Sequence, residues 1–351
     1  MHDLYHSRPF SNRMNHIPYI QIRAKDNFNF GLQLGKILSR QIRRRIRDNK
    51  ILYKKERLKD FPDLVEEAKK FLPGINKYYP ELLAELEGMS FGARVNVNEL
   101  LVLMCEEELL DFGTTHCTNV ALRTEEGVIL GHNEDWLPAY KNNGLFVVKG
   151  QIKKHKFLSL SYIGGLSGTS CGMNKNLCYT ANSLDSGRFR YGVPVKFQMR
   201  ALLGANTEQE VSKIDLKDST IATNMVYAWG ESRILDIEDF FGHHEKFYGA
   251  KFLVHTNHPV LKKDRTKINT QGESIARYNR AKEILLQKQK YDINTLKTIL
   301  SDHVKDICGH LDKQRSSNSI TIASVIMNPR KKCMEICWSN PCRNEYKSYK
   351  L

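Results

Sequence analysis

The stretch "FGTTHCTNVALRTEEGVILGHNEDW", residues 112–136, carries the pattern on which the fold assignment depends. Its segments "CTNVALRT" and "GVILGHNEDW" alternate around "EEG", which predicts two antiparallel strands joined by a tight turn. Cys117 opens the first strand, and the cluster Asn133-Glu134-Asp135 lies near the end of the second. Pairing of the two strands is therefore expected to return a carboxylate to the neighbourhood of Cys117.

Upstream of this hairpin, residues 30–116 carry apolar residues at helical spacing. Helices are predicted in "FPDLVEEAKKFLPGI", "YPELLAELEGMSFGARV" and "NVNELLVLMCEEELL". The expected boundaries are Pro73-Gly74 at the end of the first, Gly88 or Gly92 at the end of the second, and Asn96 or Asn98 as the cap of the third. Cys105 lies on the apolar face of the third helix and is expected in the core.

Downstream of Cys117 the predicted elements come in blocks. Strand patterns in "LFVVKGQ", "HKFLSLSYIG" and "LCYTANSL" are followed by helical patterns in "PVKFQMRALLGA" and "TEQEVSKI". A hairpin in "NMVYAWGESRILDIED", helices in "SIARYNRAKEILLQ" and "INTLKTILSDH", and a hairpin in "SITIASVIMNPRKKCMEICWS" complete the chain. Blocks of strands and helices, rather than alternating βαβ units, indicate an antiparallel α+β protein.

Composition limits the class of protein. The 351 residues are 41% hydrophobic and 26% charged, as in a globular protein, and no apolar run approaches the roughly 20 residues of a membrane span. The start "MHDLYHSRPF" lacks the apolar core of a secretory signal. Eight scattered cysteines do not form a disulfide framework, so a cytoplasmic location is expected.

A basic segment, residues 40–59, carries much of the formal net charge of +15. It predicts a helix with a thin apolar stripe formed by Ile42, Ile46, Ile51 and Leu52. A solvated surface helix is the simplest interpretation, and attraction of an anionic ligand is the next. RNA binding by a non-enzymatic protein is a third interpretation. Nucleic acid is not expected as a partner, because Tyr53 is the only aromatic residue among the basic residues of this segment.

Cys117 is either a small buried hydrophobic residue or a nucleophile held at a strand end. In the second case its thiol attacks the carbonyl of His116, and water then releases the upstream segment from the resulting thioester. The freed α-amine has an ordinary pKa of about 7.7–8.0, whereas an unperturbed thiol has one of about 8.5. Nucleophile and base then belong to one residue, and no separate histidine is needed.

The chain resembles the acyl-coenzyme A:6-aminopenicillanic acid acyltransferase (isopenicillin N acyltransferase) family of self-processing N-terminal nucleophile hydrolases. More distantly, it is similar to penicillin V acylase and bile salt hydrolase. The resemblance runs from about residue 75 to the C-terminus and rests on the order of several motifs. These are "YPELLAELEGMSFGARV", "CTNVALRTEEGVILGHNEDW", "GMNKNLCYTANSL", "GVPVKFQMRALLGANTEQE", "HTNHP", "SIARYNRA", "SITIASVIMNP" and "PCRNEYKSYKL".

The resemblance implies a four-layer αββα sandwich of two antiparallel sheets. It implies that residues 1–116 form a mostly helical α subunit released by self-cleavage, and that residues 117–351 form the catalytic β subunit. The two would make one compact domain, an αβ heterodimer derived from a single precursor.

The same resemblance implies roles for individual residues. Cys117 would be the nucleophile, and Asp135 would orient its α-amine. The side chain of Asn257 and a backbone N–H near Asn182 would form the oxyanion hole, and Arg277 matches an arginine near the nucleophile in distant relatives. By local pattern alone, the acid and the two amides are ordinary hairpin or turn residues and the arginine is a helix-surface cation.

One departure concerns the residue before the nucleophile, which is commonly glycine in the family and is His116 here. The bulkier side chain either hinders the acyl shift or assists it through the imidazole. A thiol amidase that stays uncleaved is therefore an alternative, with His132 or His255 as the base.

A zinc hypothesis arises from Cys308, His310, Cys333, Cys337 and Cys342. No Cys-x-x-Cys pair occurs among them, and Cys333 and Cys337 fall on one face of a predicted strand. Core or half-buried thiols are the preferred interpretation, so neither a metal nor a cofactor is expected.

The expected substrate is a small-molecule acyl amide or acyl-coenzyme A, the latter as a co-substrate. Whether water or an amine accepts the acyl group stays open, since relatives also include hydrolases of β-alanyl-amine conjugates. The basic segment 40–59 favours the phosphates of coenzyme A, although no glycine-rich phosphate loop occurs.

Overall fold

A computed structural model of the protein describes residues 17–57, 60–109, 117–184, 189–215, 218–230, 232–261, 272–311 and 319–351. His116, on the upstream side of the expected cleavage point, lies outside these residues, as do residues 58 and 59 of the basic segment.

The described part of the chain upstream of Cys117 consists of one strand followed by helices. The strand is β1 (Tyr19–Ala24). The helices are α1 (Asn27–Ile37), α2 (Ser39–Arg57), α3 (Phe61–Lys69), α4 (Leu72–Tyr78), α5 (Pro80–Ala93), α6 (Val97–Met104) and α7 (Glu106–Leu109). Asn96 caps α6 and forms a reciprocal capping box with Glu99, as one of the two predicted caps.

Downstream of Cys117 the strands and helices follow the predicted blocks. The strands are β2 (Thr118–Thr124), β3 (Gly127–Trp136), β4 (Leu145–Ile152), β5 (His155–Tyr162), β6 (Cys171–Asn174), β7 (Leu177–Ser183), β8 (Thr223–Trp229), β9 (Arg233–Phe240), β10 (His243–Tyr248), β11 (Phe252–His255), β12 (Ile320–Asn328), β13 (Cys333–Trp338) and β14 (Tyr346–Lys350). The helices are α8 (Val195–Leu202), α9 (Glu208–Asp215), α10 (Gly272–Leu286) and α11 (Ile293–Leu300).

Within the described residues the strands form two sheets. One has eight strands in the order β1-β4-β5-β6-β7-β8-β9-β10, and the other has six in the order β11-β2-β3-β12-β13-β14. One apolar core lies between the sheets, α1 to α6 and α8 pack on the outer face of the first, and α10 and α11 cover the second. The expected four-layer αββα sandwich is confirmed, with one departure: β1 pairs with β4 in parallel.

The predicted hairpin around residues 125 and 126 is confirmed, because β2 and β3 pair antiparallel with Thr118 opposite Asn133. The hairpins β8–β9 and β12–β13 also agree with the sequence pattern. The sequence analysis did not predict β1, β6, β10, β11 or β14. Each is a short strand or lies at the edge of a sheet, where few residues express a period of two.

Two predicted helix ends were wrong. Pro73 and Gly74 lie in the first turn of α4, where the missing N–H of proline costs no helical hydrogen bond. The other error is Gly88 as the end of α5, because the helix continues through Gly88 and ends at Ala93, one residue after the alternative end at Gly92, with Arg94 in the left-handed conformation. These glycines are in the helix because another helix lies against them: a Cβ on Gly88 would be 2.1 Å from the Phe28 carbonyl oxygen of α1.

The basic helix α2 is only partly a solvated surface. Ile42 and Ile46 are buried as expected, whereas Ile51 of the predicted apolar stripe is 67% exposed. Arg45 is buried, stacks over the Tyr140 ring and lies 3.7 Å from a Glu106 carboxylate oxygen. Part of the charge in this segment therefore stabilises the fold rather than meeting a ligand.

The described helices include none that is both long and apolar enough to cross a membrane.

The contact between α1 and α5 yields a stability prediction. Gly88→Ala should lower the free energy of unfolding by about 1–3 kcal/mol. The added methyl group overpacks the interface, and this destabilisation exceeds the stabilisation from the higher helix propensity of alanine. Urea denaturation measures the change. The control is Gly204→Ala, whose Cβ would meet only the Ala201 carbonyl oxygen at 3.4 Å. Equal stability of the two variants would contradict the close approach of α1 and α5.

Candidate active site

The thiol of Cys117 lies at the beginning of β2 and points into the space between the two sheets. The residue is only 7% exposed, so the thiol is more enclosed than its strand-end position alone predicted. Its Sγ lies 3.8 Å from Glu134 Oε1 and 3.8 Å from the backbone carbonyl oxygen of Asp135. The predicted return of a carboxylate to Cys117 thus occurs, and that carboxylate belongs to Glu134.

Glu134 is buried among hydrogen-bond donors. The hydroxyl of Tyr162 donates to Oε1 over 2.7 Å, the hydroxyl of Ser170 donates to Oε2, and His132 Nε2 lies 3.2 Å from Oε2. Burial acts to raise the pKa of Glu134, but these hydrogen bonds and the histidine hold it below its usual value. A negative charge is therefore fixed next to the thiol.

The ionisation of Cys117 follows from this environment. Burial raises the pKa of the thiol well above its ordinary value, and the charges of Glu134 and Asp135 raise it further, whereas Arg277 acts in the opposite direction. In the continuous chain the sulfur is thus held as a thiol. It becomes a nucleophile only when a neighbouring group accepts its proton.

Arg277 approaches the same residue from the helical layer. It lies on α10 with 1% exposure, and its Nη1 donates to the Cys117 carbonyl oxygen over 2.7 Å and to Thr118 Oγ1 over 2.9 Å. Its Nη2 donates to Asn257 Oδ1 over 2.9 Å. One buried guanidinium therefore connects the main chain of Cys117 to Asn257, which excludes the helix-surface interpretation of this arginine.

Asn257 and Asn182 lie close together on the far side of Arg277. Asn257 Nδ2 donates to the Ser183 carbonyl oxygen over 3.0 Å, next in sequence to Asn182. Asn182 is buried, and its Nδ2 donates to the carbonyl oxygens of His255 and Thr256 over 3.2 and 3.1 Å. The structure therefore brings both amides to one neighbourhood with Cys117.

Asp135 faces away from the space that contains the thiol. In β3 successive side chains alternate, so Asp135 points to the helical layer and its Oδ1 accepts a hydrogen bond from Thr321 Oγ1 over 2.6 Å. Its role as the partner of a freed α-amine remains a prediction, because such an amine would exist only if the chain were cleaved before Cys117.

A cavity of about 30 Å³ opens beside the thiol. Its lining includes Cys117, Glu134, Tyr162, Asn182, Glu107 and Lys196. Burial raises the pKa of Glu107 to about 7, and Lys196 Nζ lies 3.0 Å from a Glu106 carboxylate oxygen. Since Glu107 belongs to α7, the segment upstream of Cys117 contributes a carboxyl group to this space.

The two histidines considered as bases for an uncleaved enzyme differ in position. His132 reaches Cys117 through Glu134, and its Nδ1 is 2.6 Å from Asn119 Oδ1. His255 lies 2.8 Å from Glu238 and hydrogen-bonds to the Thr256 carbonyl oxygen. Of the two, only His132 belongs to the hydrogen-bonded group around the thiol.

The sequence analysis missed Glu134, Tyr162 and Ser170 as site residues. Glu134 could have been predicted from the hairpin. Thr118 pairs with Asn133, so the same antiparallel register places Cys117 opposite Glu134. Tyr162 and Ser170 come from the other sheet, and no local pattern predicts which of its residues face β3.

Comparison with known proteins gives related sequences. Residues 122–343 match the model of the family described as acyl-coenzyme A:6-aminopenicillanic acid acyl-transferase, which is more than half of the chain. The β-alanyl-dopamine/carcinine hydrolase of Drosophila melanogaster is 28% identical over 171 residues, 43% of this chain and 44% of the relative. The match thus spans less than half the length of that curated relative.

Solved structures of low sequence identity are also similar. A mutant of conjugated bile acid hydrolase from Clostridium perfringens is 14% identical, with a TM-score of 0.46, over 67% of this chain and 97% of that one. Penicillin V acylase from Agrobacterium tumefaciens is 12% identical, with a TM-score of 0.43, over 63% of this chain and 82% of that one.

The charge of Glu134 yields a prediction for the thiol. Glu134→Gln removes the negative charge at 3.8 Å and should lower the pKa of Cys117 by at least about one unit, because the thiolate no longer faces a carboxylate. The pH dependence of iodoacetamide alkylation at Cys117, followed by peptide mass spectrometry, measures this pKa. Glu126→Gln, on the surface turn between β2 and β3, is the control. A profile that stays in place or moves to higher pH would contradict the assignment.

Proposed function

Because the chain belongs to the acyl-coenzyme A:6-aminopenicillanic acid acyl-transferase family, we propose that it is a self-processing cysteine enzyme acting through a Cys117 thioester. Family membership makes acyl transfer or amide hydrolysis the class of reaction. The observation that supports the finer assignment is the buried contact of Arg277 with the Cys117 carbonyl oxygen, beside a thiol that faces a carboxylate.

The first proposed step is cleavage before Cys117. The thiol attacks the carbonyl carbon of His116, the C–N bond breaks, and the nitrogen of Cys117 takes up one proton and leaves as the α-amine. Glu134 Oε1, 3.8 Å from Sγ, is the group to which we assign acceptance of the thiol proton and its return to this nitrogen. Water then hydrolyses the thioester, which releases the carboxylate of His116 and regenerates the thiol.

The second proposed step is turnover by the new N-terminus. The α-amine, with an ordinary pKa of about 7.7–8.0, takes the thiol proton as the sulfur attacks the substrate carbonyl. The bond from that carbonyl to the substrate's amine or coenzyme A sulfur then breaks, and the proton passes from the α-amine to this leaving group. Asp135 orients this amine, and the Asn257 side chain and a backbone N–H near Asn182 stabilise the oxyanion. Arg277 supports this role of Asn257, because its bond to Oδ1 fixes which end of the amide carries the N–H groups. Water or an amine then takes the acyl group from the thioester.

The size of the cavity supports the need for cleavage. A volume of about 30 Å³ holds about one or two water molecules, whereas ligand pockets are typically about 300–1,000 Å³. In the continuous chain an acyl substrate therefore has no room beside the thiol. Cleavage before Cys117 would free the α-amine next to this space.

Contacts across the proposed cleavage point support an αβ heterodimer. Arg200 of α8 makes two hydrogen bonds, of 2.9 and 2.7 Å, to the buried Glu85 carboxylate of α5. Lys196 pairs with Glu106, and strand β1 pairs with β4. We propose that the two fragments stay associated, because separating them would expose the apolar core to which both contribute. A cytoplasmic location remains part of the proposal, as the scattered spacing of the eight cysteines in the sequence led us to expect.

The acyl donor is proposed as a small amide or an acyl-coenzyme A. The curated relative is named for hydrolysis of β-alanyl-dopamine and carcinine, which favours an amide, and the family description favours a coenzyme A thioester. A screen of N-acyl amines and acyl-coenzyme A thioesters, with and without added amine, separates hydrolysis from transfer.

The uncleaved thiol amidase is the second candidate, supported by the link from His132 through Glu134 to Cys117. RNA binding through residues 40–59 has less support, since Arg45 is buried and Lys50 pairs with Glu99.

Processing is tested directly by mass spectrometry and N-terminal sequencing. The purified protein should consist of two co-eluting fragments that meet between His116 and Cys117, and Cys117→Ala should give one uncut, inactive chain. Cys333→Ala, which alters a half-buried thiol on β13, should process normally. Full activity in material whose residue 117 is not N-terminal would favour the uncleaved amidase, and activity of Cys117→Ala would remove the cysteine from the reaction.

Arg277 provides a second test of the site. Arg277→Lys keeps the positive charge but cannot reach the Cys117 carbonyl, Thr118 Oγ1 and Asn257 Oδ1 together. We expect about 10- to 100-fold slower cleavage and a similar loss in kcat, with KM little changed, because the reacting groups are misaligned. Lys282→Arg, on the outer part of the same helix, is the control. Wild-type rates in the Arg277 variant would contradict a positioning role.

A further inference from the structure

Four metal-binding side chains converge outside the candidate active site. His303 and His310 come from the loop after α11, Cys308 lies between them, and Cys342 comes from the turn between β13 and β14. One ligand atom from each residue lies within 4.8 Å of the other three. Cys308 and His310 are buried, Cys342 is half-buried and His303 is exposed, so the cluster lies just under the surface.

Four of the six separations between these atoms fit a tetrahedral metal centre, and the two between His303 and the sulfurs are within 4.8 Å. Zinc bonds of about 2.3 Å to sulfur and about 2.0–2.1 Å to nitrogen put two sulfurs about 3.8 Å apart, a sulfur and a nitrogen about 3.5 Å apart, and two nitrogens about 3.3 Å apart. Cys308 Sγ and Cys342 Sγ are 3.7 Å apart. His310 Nε2 lies 3.5 and 3.3 Å from the two sulfurs and 3.2 Å from His303 Nε2.

We propose that His303, Cys308, His310 and Cys342 form a structural zinc site. Two imidazoles and two thiolates are a ligand set that zinc takes in structural sites, and two thiolates neutralise the charge of the ion. All four positions of a tetrahedron are supplied by the protein, so the site is closed and has no position for a substrate. The inference does not depend on the proposed reaction.

A disulfide is the competing interpretation of the two cysteines. The Sγ atoms are 3.7 Å apart, whereas a disulfide bond is about 2.05 Å long. A disulfide also gives no reason for two histidines to direct their Nε2 atoms at the same point. Asn340 Nδ2, 3.6 Å from Cys308 Sγ, adds the kind of outer hydrogen bond that thiolate ligands accept.

The sequence-based zinc hypothesis named a different set. It included Cys333 and Cys337, which lie on β13, where Cys333 Sγ is 3.0 Å from Ser348 Oγ and Cys337 Sγ is 3.4 Å from the Asn344 carbonyl oxygen. It omitted His303. The four converging residues contain no closely spaced pair of cysteines, because Cys308 and Cys342 come from two different loops.

The position of the site assigns its role. The loop that carries three of the ligands is bonded to β3, since Asn133 Nδ2 donates to the carbonyl oxygens of Leu300 and Ile307 over 2.8 and 2.9 Å. The backbone N–H of Gly309, between two ligands, donates to Thr321 Oγ1 over 2.8 Å, and this hydroxyl donates to Asp135 Oδ1. Zinc would thus fix the loop that supports Asp135 from outside the sheet.

Metal analysis of the untagged full-length protein tests the proposal. We expect about one zinc per chain by inductively coupled plasma mass spectrometry after gel filtration, and less than about a tenth of that in Cys342→Ser. Cys117→Ala is an essential control, because Cys117, His132 and Glu134 also have ligand atoms within 4.8 Å of one another. It should retain zinc, as should Cys333→Ala. Zinc-free wild-type protein after incubation with zinc, or zinc lost only in Cys117→Ala, would overturn the proposal.

Cobalt substitution keeps the test decisive if the Cys342 variant fails to fold. Cobalt(II) bound to the wild-type chain should show thiolate charge-transfer absorption and the intense visible bands of tetrahedral coordination. His303→Asn, which alters the exposed ligand, should weaken these bands and lower the thermal midpoint in the absence of added zinc. Weak octahedral bands in the wild-type protein, or a Cys308–Cys342 disulfide found by peptide mapping under non-reducing conditions, would overturn the site.

Discussion

The register between β2 and β3 is the constraint on which the candidate site depends. With Thr118 opposite Asn133, Cys117 and Glu134 face the space between the sheets, and Thr118 and Asp135 face the helical layer. A slip of one residue would exchange the two faces and remove the carboxylate from the thiol. Hydrogen bonds hold this register on both faces of the sheet. Glu134 accepts hydrogen bonds from Tyr162 and Ser170 on one face, and Asn133 donates to the chain at the end of α11 on the other.

Burial of the charged groups at this site carries a desolvation cost. Glu134, Lys196, Glu106 and Arg277 are all nearly inaccessible to solvent. A charge removed from water is tolerated only where hydrogen bonds or an opposite charge replace hydration. Each of these groups has such contacts, and the ones around Lys196 and Glu106 join the segments on either side of the proposed cleavage point. The same contacts that stabilise the continuous chain would therefore hold a cleaved protein together.

The helical layer over the six-stranded sheet supports the site in two places. Arg277 of α10 bonds to the main chain of Cys117, and the loop after α11 reaches Asp135 through Thr321. Both supports come from residues more than 150 positions after Cys117 in sequence. The proposed zinc site would stabilise the second support, because three of its ligands lie in the loop that begins where α11 ends. The thiol and the proposed zinc ion would then lie on opposite sides of β3.

Local sequence pattern was sufficient to predict the period-two hairpin around residues 125 and 126, the block order of strands and helices and the cap at Asn96. Motifs shared with a family were sufficient to place Arg277 near Cys117. These features follow from periodicity within a segment, from capping chemistry, or from the order of motifs along the chain.

Packing of the folded chain was needed to establish that Glu134 rather than Asp135 faces the thiol, that α5 continues through Gly88, and that His303 joins Cys342. Each depends on an approach between segments distant in sequence: a second sheet that supplies Tyr162, a neighbouring helix that excludes a Cβ, and a turn that carries the fourth ligand. A single sequence records the period of each segment, but the contacts between segments are fixed only when their buried surfaces pack together.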